Sequence, residues 1–286
     1  MLRSILVALD GSSSSVRASQ LALHLGREYS AYVEGIGIVN SGWIQRAEPV
    51  PIGGLAIKSA LAQSRLNYAK IRIDEVVAHF RDTAVKEGVS FFLTRAVEGD
   101  PAQIIAEEAT AHDLVALGRD SVFDVDGELE RVPLCVDKII REEPRPVLII
   151  PESDDDAPVI SQHPVIVAFD GSPASSRALH MFALLGMAAG KEIHVITVAG
   201  TSERADRIAL QASQLLERHG ATDVKPIGLG DREAGTPAET ILGLTKSLGA
   251  GMVVMGAYGN RGIREIFGST TREVLKESSA VLFLHH

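Results

Sequence analysis

The chain says nearly the same thing twice, and that constrains its fold more than any other feature. Ile5-Leu6-Val7-Ala8-Leu9-Asp10-Gly11-Ser12 returns as Val165-Ile166-Val167-Ala168-Phe169-Asp170-Gly171-Ser172, 160 positions later in a chain of 286 residues. Gly99-Asp100-Pro101-Ala102 returns as Gly235-Thr236-Pro237-Ala238. Asp113-Leu114-Val115-Ala116-Leu117-Gly118 returns as Gly251-Met252-Val253-Val254-Met255-Gly256, and Pro146-Val147-Leu148-Ile149-Ile150 as Ala280-Val281-Leu282-Phe283-Leu284. A period of about half the chain is too long for a solenoid unit and suits two whole domains. The expected division is 1–151, an acidic proline-bracketed linker at 152–162, and 163–286.

Within each copy, apolar runs alternate with helical spacing. The runs are continuous rather than alternating, as expected of strands buried on both faces of a parallel sheet covered by helices. The second copy reads as five strands, at about 164–169, 192–199, 223–229, 251–256 and 280–284. In the first copy a helix is expected from Ser15 to Glu28, a second strand from Ala31 to Val39, and a long helix from about Leu55 to His79. The expected fold is therefore α/β: two tandem, doubly wound, Rossmann-like domains with strand order 3-2-1-4-5. In that order strands one and four are neighbours, and ligands sit outside their carboxyl ends.

That crevice would unite two distant signals. The Asp170-Gly171-Ser172 turn ends strand one. The loop Gly256-Ala257-Tyr258-Gly259-Asn260-Arg261-Gly262, running on to Gly268-Ser269-Thr270-Thr271, ends strand four. Backbone amides in a glycine-rich turn, followed by a helix N-terminus, can hold phosphate oxygens. The candidate site is Asp170, Gly256, Gly259, Gly268, Ser269 and Thr270, with Arg261 and Arg264 near the phosphates. Asp170 can meet a ribose or hold Mg²⁺ by way of water; its plainer role is to cap the first helix. The first copy departs here. Arg119-Asp120-Ser121-Val122-Phe123-Asp124-Val125-Asp126-Gly127-Glu128-Leu129-Glu130 lacks the paired glycines, and its carboxylates would repel phosphate. A loop without a small ligand is the plainer reading of it, ahead of a divalent-cation site. Trp43 and Ile44 are read as packing residues in preference to a lid.

Composition sets the outer limits. A formal net charge of -9 argues against a duplex nucleic-acid binder. No stretch approaches the roughly 20 apolar residues of a membrane span, and the N-terminus lacks a signal-peptide pattern, so a cytoplasmic protein is expected. The lone Cys135 reads as a small buried hydrophobe. His194 reads as a core or edge histidine, and the adjacent His285-His286 as a poor metal pair, since a strand points them to opposite faces. No base and nucleophile are tied to an elbow motif, so efficient catalysis is weakly supported.

These residues resemble the universal stress protein family in its tandem two-domain form, over nearly the whole chain. The resemblance rests on the two Asp-Gly-Ser strand ends and the Gly256–Thr271 loop. The loop fits the family's ATP-binding pattern G-x2-G-x9-G-[ST] except that eight residues, not nine, separate Gly259 from Gly268. It implies ATP, with Mg²⁺, in the second domain only. The adenosine end would be met by Ala168, Asp170 and the Val198 backbone, and the phosphates by Gly256, Gly259, Gly268, Ser269 and Thr270. It further implies antiparallel pairing of Val147–Ile150 with Val281–Leu284, an internal pseudo-dimer that could still associate into a homodimer, and a role as a nucleotide-linked regulator of stress response. Two other readings stand beside it: an interaction module in which the glycine loop is only a turn, and a true ATPase or transferase.

Overall fold

The computed structural model describes residues 1–46, 55–123, 133–152, 163–257 and 269–286. The first half runs β1 (Ser4–Leu9), α1 (Ser13–Tyr29), β2 (Tyr32–Val39), α2 (Ser41–Ile44), α3 (Leu55–Lys86), β3 (Phe92–Glu98), α4 (Pro101–Ala109), β4 (Leu114–Gly118), α5 (Leu134–Glu142) and β5 (Val147–Ile150). The second runs β6 (Val165–Ala168), α6 (Pro173–Leu184), β7 (Glu192–Ala199), α7 (Ser202–Arg218), β8 (Asp223–Gly230), α8 (Pro237–Leu248), β9 (Met252–Gly256), α9 (Ser269–Glu277) and β10 (Val281–His285).

The ten strands among the described residues form one sheet in the order β3-β2-β1-β4-β5-β10-β9-β6-β7-β8. Counted within itself, each half has the expected order 3-2-1-4-5, and its pairings are parallel. The halves join through one antiparallel pairing, with Leu282 opposite Ile149, Phe283 opposite Leu148 and Leu284 opposite Val147. This is the pairing that the resemblance implied, and it removes two exposed strand edges at once.

Side-chain alternation divides the apolar runs between two cores. Ile5, Val7 and Leu9 of β1 enter one; Leu6 and Ala8 enter the other. The first core takes Leu21 and Leu25 of α1 and crosses the seam through Leu148, Ile150, Phe283 and Phe182. Phe182 and Phe283 meet edge to face, with centroids 5.6 Å apart, a geometry worth about 1 kcal/mol beyond burial. The second core crosses the same seam through Ile149, Leu282 and Leu284, under α4, α5 and α9. Both cores therefore belong to both halves.

One helix differs from expectation at its end. The long helix α3 continues past His79 to Lys86, because Phe80 and Ala84 extend its buried stripe. In the second half α6 begins at Pro173, since the Ser172 side chain accepts from the Ser175 N–H and proline suits the first helical turn. Cys135 is buried among apolar neighbours, as read. His194 is buried on β7, 3.0 Å from Glu192 Oε1. Ile44 packs beside Val39, Leu66 and Ile73, and Arg46 lies 4.0 Å over the Trp43 ring. Among the described residues no helix is long and apolar enough to cross a membrane. The glycine loop from 258 to 268, the acidic stretch from 124 to 130 and most of the linker lie outside the described residues.

Candidate functional site

The second-half crevice is built at the carboxyl ends of β6 and β9, which are adjacent. Ala168 closes β6 and pairs with Met255 and Ile196. The chain beyond is pinned to β7: the Phe169 N–H donates to Ile196 O at 2.9 Å, and the Thr197 hydroxyl donates to Phe169 O at 2.7 Å. Asp170 follows, and Gly171 turns the chain at φ +76°, in the left-handed region that glycine enters freely. Gly11 does the same in the first half at φ +79°. This accounts for the Asp-Gly-Ser repeat as a strand-to-helix turn before any ligand is considered.

Asp170 Oδ1 accepts from the Ser172 N–H at 2.9 Å and the Ser175 hydroxyl at 2.7 Å. Burial alone would raise its pKa, but the bonds from Ser175 and Ser172 outweigh it and hold the carboxyl below its ordinary value. Asp170 is exposed. Val198 lies half-buried on β7, one strand over.

Gly256 has a packing explanation. A Cβ there would lie 2.6 Å from the Ser175 N and 2.7 Å from the Ala174 carbonyl carbon, so the start of α6 rests directly on the end of β9. Gly118 meets the start of α1 in the same way, at 2.7 Å from the Ser15 N. The first glycine of the loop is thus required by helix-on-strand packing in both halves and carries no ligand signal by itself. Gly259, Arg261, Arg264 and Gly268 lie outside the described residues. Ser269 and Thr270 open α9, and Thr271 behind them is buried. Since α9 returns the chain from the end of β9 to the start of β10, its amino end lies on the crevice side of the sheet.

The first half is arranged alike and closed differently. Asp10 Oδ1 accepts from the Ser12 N–H at 2.8 Å and the Ser12 hydroxyl at 2.7 Å. Its Oδ2 accepts from the Val122 N–H at 2.8 Å, and Asp10 is only 7% exposed. The β4 loop folds across the strand ends. The Asp120 N–H donates to the Ser14 hydroxyl, Asn40 Nδ2 donates to Phe123 O at 3.2 Å, and the Phe123 ring is buried with Leu6, Ala8, Ile36 and Ile38. The chain itself fills this crevice. Val122, Phe123 and Ser175 were not singled out from sequence. The Ser12-x-x-Ser15 and Ser172-x-x-Ser175 pair could have signalled Ser175, whereas Phe123 is one apolar residue among many.

Residues 162–283 match the model of the universal stress protein family. A universal stress protein of Synechocystis is 23% identical over 295 aligned residues, covering 97% of this chain and 98% of the relative. A universal stress protein of Archaeoglobus fulgidus has a similar solved structure, with a TM-score of 0.70 at 17% identity, covering 99% of this chain and 97% of that one. A functionally unknown protein of Pseudomonas aeruginosa gives a TM-score of 0.55 at 17% identity, covering 99% and 92%.

Proposed function

We propose, from the match of residues 162–283 to the universal stress protein family model and the similarity of a universal stress protein over 97% of the chain, that the second half binds one ATP, with Mg²⁺, as the signal of a nucleotide-linked regulator. The observation that carries this reading is the contrast between two matching carboxylates. Asp10 is only 7% exposed and has its outer oxygen taken by the Val122 N–H, while the matching carboxylate of Asp170 is exposed. A ribose hydroxyl is a suitable donor for such a carboxylate. Ala168 and the Val198 backbone flank Asp170 on the side of the base. Gly259, Arg261 and Gly268 of the loop, with Gly256, Ser269 and Thr270, belong to the phosphate side, where the amide groups and dipole of a helix amino end favour negative charge.

Hydrolysis is slow or absent in this reading. A carboxyl held below its ordinary range is a poor proton acceptor. The nucleotide acts instead through binding free energy: at a hundredfold excess over Kd it adds about 2.7 kcal/mol to the folded state.

Mass spectrometry of nucleotide released from the purified chain, with melting in Mg-ATP, tests the proposal. One ATP or ADP per chain and a rise in Tm of about 5 °C or more are expected, both lost in Gly259→Trp and reduced in Asp170→Ala. No released nucleotide and no shift with Mg-ATP would overturn the nucleotide reading. Two nucleotides per chain would overturn the single site.

A further inference from the structure

The carboxyl end of α9 is held from the other half of the molecule. Arg119, the first residue after β4, sends Nη1 to the backbone oxygens of Lys276 at 3.3 Å and Ser278 at 2.8 Å. These are the last turn of α9 and the residue just beyond it. The guanidinium side chain is 19% exposed, and its Nε lies 3.3 Å from Asp120 Oδ1. The backbone beneath it is fixed too: the Arg119 N–H donates to Ile150 O at 2.8 Å. The next residues are those that close the first crevice, through the Asp120 N–H to Ser14 and the Val122 N–H to Asp10. The turn that Arg119 grips is itself tight, with the Ser278 N–H donating to Val274 O and the Ala280 N–H to the Ser278 hydroxyl.

We propose that Arg119 is a positioning residue for the second-half site: it fixes the carboxyl end of α9 and so sets where the amino end presents Ser269 and Thr270. This rests on the ATP reading given above. The physical argument is leverage and charge. Nine residues of helix span about 13 Å, so Arg119 does not touch the phosphates, yet a helix pinned at one end carries its other end with it. A cation at a helix carboxyl end also complements the dipole whose positive pole faces the ligand. The second half cannot supply this contact to the first by symmetry, because Ala257 stands where Arg119 does. On this view the closed first half is the bracket on which the open half is mounted.

Hydrogen exchange along 269–280 in the ligand-free chain, together with calorimetric titration of Mg-ATP, separates this proposal from the reading beneath it. Arg119→Ala should speed amide exchange in α9 several-fold and raise the Kd about tenfold. Arg119→Lys, which keeps the charge and one donor, should recover part of both. Arg95→Ala is the control for general weakening: it breaks the ion pairs with Glu34 and Glu108, which involve neither Arg119 nor α9, and should leave α9 exchange and Kd unchanged relative to the rest of the chain. Unchanged α9 exchange in Arg119→Ala would overturn the proposal whether or not ATP binds, and so would faster exchange with unaltered Kd. If the unsubstituted chain binds no ATP, the nucleotide reading has failed, and the site-positioning role of Arg119 falls with it even where exchange shows that it holds α9.

Discussion

At the scale of single residues, one carboxylate in two settings carries most of the functional argument. Asp10 and Asp170 close matching strands and begin matching turns, yet Asp10 is sealed under Val122 while Asp170 faces solvent. Their substitutions should therefore fail in different ways. Asp10→Ala strands the Val122 and Ser12 amides in a closed place and should cost about 3 kcal/mol of stability. Asp170→Ala gives up bonds from the buried Ser172 and Ser175, but the Ser175 hydroxyl keeps Ser172 O as an acceptor at 3.1 Å, so the cost should be about 1 kcal/mol, its main effect falling on ligand affinity. Urea unfolding of the two variants side by side checks this; equal losses would mean that both carboxylates are structural. The sequence displayed the pair plainly, because Asp-Gly-Ser recurs. It could not display the difference, because the Val122 N–H is a backbone group that any residue would supply. Gly256 teaches the opposite lesson. It stood out as a phosphate residue, and its most direct constraint is the start of α6 at its Cα.

At the scale of elements, strands buried on both faces were legible, and of the two edge strands β8 was placed at about 223–229 while β3 was not located. β1, β9 and β10 read as unbroken apolar runs because each is covered above and below by the two cores. β3 mixes exposed and half-buried residues, with Thr94 and Arg95 at its middle, and so gives no continuous apolar run. β10 also carries a pH response. Burial, with neighbouring His286, Arg177 and Arg145, pushes the His285 imidazole down to about 4. A histidine depressed in the folded state is favoured neutral, whereas the unfolded chain takes up its proton near pH 6.5. The associated stability is full above about pH 6.5 and is lost as pH falls through about 4. Asp170, also depressed, withdraws its contribution in the same direction at lower pH still. His285→Leu should thus shrink the stability difference between pH 7 and pH 4.5 by about 2 kcal/mol. An undiminished difference in urea midpoints would show that His285 does not govern this response.

At the scale of the molecule, the seam between β5 and β10 makes one sheet out of two half-sheets. Cut away from its partner, the segment 163–286 would bare β10, whose Leu282, Phe283 and Leu284 are buried in the whole chain. That segment should pair with a second copy of itself through β10, and sedimentation over a range of concentrations should show a dimer; a monomer at all concentrations would mean that the seam is not a self-sufficient interface. The seam has one more consequence, which concerns symmetry. When two identical chains form such a pair, every substitution is made in both at once, and the two crevices must change together. Here the two partners are spelled out separately along one chain, so each substitution enters only once. One crevice can then fill with Phe123 and lend Arg119 to its neighbour, while the other keeps Asp170 in the open.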